Sequence, residues 1–125
     1  MEMIFDTFAW IEYVSGTKKG AIVRDYLEEN VVYTPWIVLL ELSYKADKEG
    51  WNFEKILKFI KLRSKIVGID EDFILSFGHL YNEIKKDVRG IGIADIIIMN
   101  SARFLNTKIL TGDKHFEGFS DSIIL

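Results

Sequence analysis

The sequence predicts an α/β protein, a three-layer α/β/α sandwich around a parallel sheet of four to five strands. Short apolar runs typical of buried strands alternate with longer segments of helical periodicity along the whole chain. Connections of helical length between strands imply right-handed crossovers and a parallel sheet covered on both faces. The chain has 125 residues with only one Pro and nine Gly, so we expect a single domain over residues 1–125.

The predicted strands are short runs of β-branched and aliphatic residues that stop at Asp, Pro or a turn. The fifth is the weakest, which leaves the count at four or five. The segments are 3–6 (MIFD), 31–35 (VVYTP), 66–70 (IVGID), 108–113 (KILTGD) and 122–125 (SIIL).

The predicted helices are segments in which apolar residues recur every three or four positions. Gly16 and Gly50 stand where two of them should end, and Pro35 stands where another should begin. The six segments are 7–16, 18–30, 36–50, 52–65, 71–90 and 92–106. The apolar faces expected in the second and fourth are Ile22, Val23, Tyr26 and Leu27, and Phe53, Ile56, Leu57, Ile60 and Leu62.

Composition excludes several classes of function. The net charge of −3 argues against coating nucleic acid through bulk electrostatics, so any such contact must be local. The chain contains no Cys, which excludes disulfides, zinc–thiolate sites and thiol nucleophiles and fits a reducing compartment. Neither a signal-peptide pattern nor a run of membrane-spanning length is present. We therefore expect a cytoplasmic protein without a membrane partner.

Two pairs of carboxylates suggest a metal site. Asp6 and Asp113 end predicted strands, and ligands of parallel α/β sheets bind at the carboxyl ends of strands. Glu41 and Asp95 lie inside apolar helical segments, where a carboxylate must face water at the helix edge or find a cation. A set of oxygen ligands favours Mg²⁺ or Mn²⁺.

A simpler interpretation is open for each carboxylate. Asp6 and Asp113 are equally well explained as caps of the helix or turn that follows. Glu41 and Asp95 could have surface or structural roles. No two of the four are close enough in sequence to form a local metal-binding motif, so their grouping is a hypothesis from topology.

Four segments carry a family resemblance. They read IFDTFAWIEY, TPWIVLLEL, GIADIIIMNSARF and ILTGDKHF, in that order and over essentially the whole chain. The ordered set closely resembles the PIN-domain ribonucleases, in particular the VapC-type toxins of toxin–antitoxin pairs. The resemblance implies a metal-dependent endoribonuclease that hydrolyses RNA phosphodiester bonds, forms a homodimer and is silenced by a cognate antitoxin.

The same resemblance implies the residues of the site. One or two Mg²⁺ or Mn²⁺ ions would be held by the catalytic carboxylates Asp6, Glu41, Asp95 and Asp113, with Thr7 and Thr111 as supporting hydroxyls. Many members carry a further acidic residue shortly after the last Asp, where this chain has Lys114 and His115. This departure implies that a second ion is held more weakly or relies on substrate phosphate.

Cationic residues must guide RNA past these carboxylates. The candidates for RNA contact are Lys45, Arg89, Lys114 and His115, although basic side chains on wet helix faces usually serve only solvation.

The main alternative function is a catalytically weak PIN-like module that binds RNA or a protein. A third possible function is that of a DNA-specific or structure-specific nuclease on the same fold. A phosphate-accepting receiver domain expects paired acids after its first strand and a Lys after its last, whereas FDTF has a single Asp and LTGD supplies no such Lys. A haloacid-dehalogenase-like phosphatase expects a second Asp where this chain has Phe8.

Overall fold

The computed structural model describes residues 1–119 and 121–125. Within them, five strands are joined by six α-helices, two in each of the first three connections, and by one 3₁₀ turn in the last. The strands are β1 (Glu2–Phe5), β2 (Val31–Pro35), β3 (Lys65–Val67), β4 (Lys108–Thr111) and β5 (Ser122–Ile124). The helices are α1 (Thr7–Ser15), α2 (Lys18–Glu29), α3 (Trp36–Glu49), α4 (Phe53–Arg63), α5 (Glu71–Asp87) and α6 (Ile93–Leu105), and the 3₁₀ turn is Lys114–Phe116.

The five strands form one parallel sheet in the order β3-β2-β1-β4-β5. From β1 the chain moves outward to β3 and then returns to the other side of β1 with β4. This reversal places a topological switch point between β1 and β4, and ligands of such sheets bind at the strand ends there. The predicted fold class is confirmed, with the fifth strand present.

The central strand shows that helices cover both faces of the sheet. Met3, Ile4 and Phe5 are all fully buried, and successive side chains of a strand point to opposite faces. Trp10 of α1 is also fully buried; its Nε1 donates to Thr34 Oγ1 at 3.1 Å. Its ring meets that of Phe5 edge-on, with 5.1 Å between ring centroids. Trp10 therefore packs α1 directly on the central strand through Phe5.

The predicted element boundaries are largely confirmed. Gly16 and Gly50 follow α1 and α3 in the left-handed conformation, with φ of 68° and 74°, which glycine adopts without a steric penalty. The third strand is shorter than predicted, ending at Val67, and lies at the sheet edge. None of the helices in the described part of the chain has the length and apolarity needed to cross a membrane.

Two predicted apolar positions are wrong. Leu62 is 76% exposed, whereas Ile60 is fully buried. Because each helical residue advances by about 100°, a residue two positions further lies about 200° around the helix, on the opposite side. Ile22 is 48% exposed although its neighbour Val23 is fully buried, since the buried face of α2 is narrower than predicted.

Candidate metal centre

Asp6 lies where β1 passes into α1, beside β4. Its backbone N–H donates to Leu110 O at 3.2 Å, and its Oδ1 accepts from Ala9 N at 2.8 Å as the N-cap of α1. The residue is only 3% exposed. Asp6 is therefore the helix cap that the simpler interpretation proposed, and it is also a buried carboxylate at the switch point of the sheet.

Asp113 follows β4 by two residues and begins the 3₁₀ turn. Its N–H donates to Thr111 Oγ1 at 2.9 Å, and its Oδ1 accepts from His115 N at 2.9 Å. Gly112 makes this turn possible, because a Cβ there would lie 2.1 Å from Phe8 Cε1. The ring of Phe8 thus packs directly on the backbone that carries Asp113.

Glu41 and Asp95 come from two different helices. Glu41 lies on α3, and its Oε1 accepts from Thr7 Oγ1 at 2.6 Å. Asp95 lies in the first turn of α6, near the start of the helix as the predicted segment 92–106 implies. Unpaired N–H groups and the positive end of the helix dipole favour a carboxylate at this position.

The structure brings all four predicted carboxylates to one open cavity of about 490 Å³. Each comes from a different element, yet all meet at the carboxyl edge of the sheet. The cavity is lined by Asp6, Thr7, Phe8, Ile11, Glu41, Asp95, Ile98, Gly112, Asp113 and Lys114.

Burial and mutual repulsion raise the pKa of two of these carboxylates. The pKa of Asp6 rises to about 7, chiefly because burial disfavours the charged form; Asp95 and Asp113 raise it further, while hydrogen bonds from Thr111 and Ala9 lower it. The pKa of Asp95 rises to about 6, first through burial and then through the charges of Asp113 and Glu41. The centre therefore concentrates more negative charge than its surroundings stabilise.

A divalent cation would suit this cavity, where Asp95 and Asp113, with His115, have potential ligand atoms within 4.8 Å of one another. Within residues 1–119 and 121–125, no Lys or Arg forms an ion pair with any of the four carboxylates. His115 Nδ1 lies 2.9 Å from Asp113 Oδ1, but carboxylates that no Lys or Arg neutralises are still stabilised by a metal ion, and oxygen ligands select hard ions such as Mg²⁺ and Mn²⁺.

The remaining predicted residues lie at different distances from the cavity. Thr111 is fully buried and connects Asp6 with the turn of Asp113. Lys114 lines the cavity, whereas Lys45 pairs with Glu49 on α3 at 3.1 Å. Arg89 lies in the loop between α5 and α6, outside the lining.

Two features of the site were not predicted from the sequence. The packing of Phe8 on Gly112 is one; a Gly between a strand-ending Thr and an Asp was its only signal. The second is the place of His115, whose Nδ1 lies 2.9 Å from Asp113 Oδ1. With Asp95 and Asp113, His115 forms a group whose potential ligand atoms all lie within 4.8 Å of one another.

The fold and the acidic centre together define a class of protein. The sequence pattern of the PIN domain family matches residues 3–121, and the chain belongs to that family. No curated protein sequence matches the chain.

Solved structures share this fold over the full length. The chain is similar to VapBC2 from Rickettsia felis bound to a promoter DNA fragment, with 20% identity and a TM-score of 0.77, covering 100% of this chain and 98% of the other. VapBC-1 from nontypeable Haemophilus influenzae gives 24% identity and a TM-score of 0.74, with coverage of 100% and 97%. Mycobacterium tuberculosis VapC20, described as a toxin that cleaves the sarcin–ricin loop, is 14% identical to this chain with a TM-score of 0.71, and 95% of each chain is covered.

Proposed function

We propose that this protein is a metal-dependent endoribonuclease that hydrolyses RNA phosphodiester bonds, and that it is the VapC-type toxin of a VapBC-type pair. The observation that carries the proposal is the convergence of Asp6, Glu41, Asp95 and Asp113 on one cavity of a PIN domain. Structural similarity to VapBC complexes and to a toxin that cleaves the sarcin–ricin loop supports it.

The four carboxylates are the proposed ligands of one or two Mg²⁺ or Mn²⁺ ions. Bound ions would lower the pKa of a coordinated water and stabilise negative charge on the phosphoryl oxygens. The hydroxyl of Thr7 fixes Glu41 through its 2.6 Å hydrogen bond. Thr111 fixes the turn of Asp113 and contacts Asp6. Hydrolysis by water then needs no nucleophilic side chain.

Lys114 is the best-placed residue for holding the RNA backbone. It lines the cavity directly after Asp113, so its ammonium group can balance the repulsion between a phosphate and the carboxylates. Lys45, Arg89 and His115 are proposed as further contacts. The exposed pair of Lys45 with Glu49 does not prevent this, because such surface pairs contribute little free energy.

The proposed protein partners are a cognate antitoxin and a second copy of the chain, both in the cytoplasm. Large apolar side chains on α5 and α6 support a protein partner: Ile74, Leu75 and Phe104 are 60%, 74% and 47% exposed. Light scattering after gel filtration tests the homodimer, which a monomeric mass at micromolar concentration would contradict. Co-purification with the product of an adjacent gene tests the antitoxin.

The nuclease proposal is tested by incubating purified protein with structured RNAs and single-stranded DNA in Mn²⁺, Mg²⁺ or EDTA. Wild type should cut RNA only with metal, and Asp6→Asn and Asp95→Asn should each lower the rate by at least about 100-fold, since loss of even a supporting residue lowers activity by about 10–100-fold. Asp70→Asn is the matched control, because Asp70 is an exposed N-cap with the same hydrogen bond.

Three results would contradict the proposal. Undiminished cleavage by Asp95→Asn would contradict the role of Asp95 as a catalytic metal ligand. Cleavage of DNA alone would favour the DNA nuclease. Binding of Mn²⁺ without cleavage of any substrate would favour the binding module.

A further inference from the structure

We propose that His115 is itself a metal ligand, so that Asp95, Asp113 and His115 form a mixed oxygen–nitrogen site that binds Mn²⁺ in preference to Mg²⁺. The inference rests on the proposed function, which places divalent ions in this cavity. It adds a ligand that neither the family nor the four carboxylates imply.

The distances within this group suit a shared ion. The potential ligand atoms of Asp95, Asp113 and His115 all lie within 4.8 Å of one another. Two ligands about 2.1 Å from one ion lie at most about 4.2 Å apart, so small side-chain rotations bring the three into coordination. Asp95 and Asp113 are half-buried and His115 is exposed, which leaves the group open to solvent for ion entry.

The backbone points one nitrogen of His115 at the carboxylates. His115 N donates to Asp113 Oδ1, and Nδ1 lies 2.9 Å from the same oxygen. The next residue, Phe116, is fully buried and anchors the turn. The other nitrogen, Nε2, faces the α5–α6 loop, where a Cβ on Gly90 would lie 3.7 Å from it. A metal-binding His uses one nitrogen in this way while its second stays available as a donor.

The chemistry of imidazole determines which ion is preferred. His115 would supply a ligand without adding another negative charge to a cavity already lined by four carboxylates. Imidazole binds first-row transition ions well, whereas Mg²⁺ prefers carboxylate and water oxygens. A His at this place therefore favours transition ions over Mg²⁺, and Mn²⁺ is the transition ion that the carboxylate oxygens of the centre also suit.

A purely structural role for His115 makes a different prediction. In that case the ring would only pair with Asp113 on an exposed turn, and a substitution would alter local order without changing the atoms bound to the ion. Direct detection of nitrogen on the metal separates the two roles.

The experiment is pulsed electron paramagnetic resonance on the full chain loaded with Mn²⁺, without RNA. Nitrogen-14 coupling to Mn²⁺ should be present in wild type and absent in His115→Gln. His79→Gln is the matched control, because the chain has only two His and His79 pairs with Glu83 at 3.1 Å on the exposed side of α5. His79→Gln should keep the signal.

Calorimetry gives a second measurement. His115→Gln should weaken Mn²⁺ binding by at least about tenfold, since loss of even an outer-shell partner has that effect, and should change Mg²⁺ binding by less than about twofold. His115→Asp should raise the affinity for Mg²⁺ relative to Mn²⁺.

The results also separate this inference from the nuclease proposal. A nitrogen signal without RNA cleavage would support His115 as a ligand and contradict the nuclease. Mn²⁺-dependent cleavage by a wild type without a nitrogen signal would overturn only the role of His115. Loss of the nitrogen signal in His79→Gln would also overturn the role of His115 as a ligand. The comparison of wild type with His79→Gln can be made even if His115→Gln fails to fold.

Discussion

Replacing Asp6 by Asn should stabilise the metal-free protein while destroying metal binding. Asn keeps an oxygen at the position that accepts from Ala9 N and is as good a helix cap as Asp. The substitution removes only the charge, which burial makes unfavourable at this position.

The pKa shift gives the size and the sign of this effect. Folding raises the pKa of Asp6 from 3.8 to about 7, so between these values the folded state keeps a proton that the unfolded state releases. The free energy of unfolding of wild type therefore falls as pH rises through this window. The shift of about three units corresponds to about 4 kcal/mol at pH 7 and above, and to about 2 kcal/mol near pH 5.

Urea unfolding in EDTA at about pH 5 and pH 8 measures the effect. We expect Asp6→Asn to be more stable than wild type, by an amount that grows with pH as worked out above. Asp70→Asn, which keeps an exposed cap of α5, should show no such growth. A difference between Asp6→Asn and wild type that is equal at both pH values, or absent at the higher one, would refute the reasoning. Saturating Mn²⁺ should reverse the order of stability.

Other substitutions test the support of the centre. Thr7→Val removes the hydroxyl that donates to Glu41 and should weaken Mn²⁺ binding by about 10–100-fold in calorimetry, with little change in the unfolding midpoint. Gly112→Ala would drive a methyl group into the ring of Phe8 and should lower the free energy of unfolding by about 1–3 kcal/mol together with nuclease activity. Gly78→Ala, in the open middle of α5, is the control and should raise the free energy of unfolding by up to about 1 kcal/mol. A decrease in this control would mean that the effect of Gly112→Ala cannot be assigned to the contact with Phe8. Mn²⁺ at about 100 times its dissociation constant should stabilise wild type by about 2.7 kcal/mol over EDTA, and an unchanged melting curve would contradict the metal site.

The elements of this fold follow from local sequence, but their arrangement does not. Short apolar runs that stop at a turn residue predicted β1 and β4, and apolar residues recurring every three or four positions predicted the helices. These local patterns could not predict that β4 lies beside β1, because the pairing of Ile4 with Ile109 depends on contacts between distant parts of the chain. The sequence could therefore show that Asp6 and Asp113 each follow a strand. That the two residues are neighbours in space could be known only from the order of the strands in the sheet.

The site was predictable to a similar degree. Apolar flanks made Asp95 conspicuous, and the predicted helix 92–106 placed it near the helix start, where the structure has it; the flanks could not show that it lies beside Asp113. The orientation of His115 depends on a 3₁₀ turn of three residues, which is too short to produce a periodic signal. Its proximity to Asp95 arises only after α6 and β4 have packed.

The position of β1 at the centre of the sheet has a consequence for synthesis of the protein. β1 is synthesised well before β4 (Lys108–Thr111), its partner on one side. Until then the nascent chain holds Asp6 without Asp113 opposite it, and domains of this size fold as units. A chain with this connectivity can therefore assemble its acidic centre only after both strands have been synthesised, because Asp6 and Asp113 become neighbours only when β1 pairs with β4.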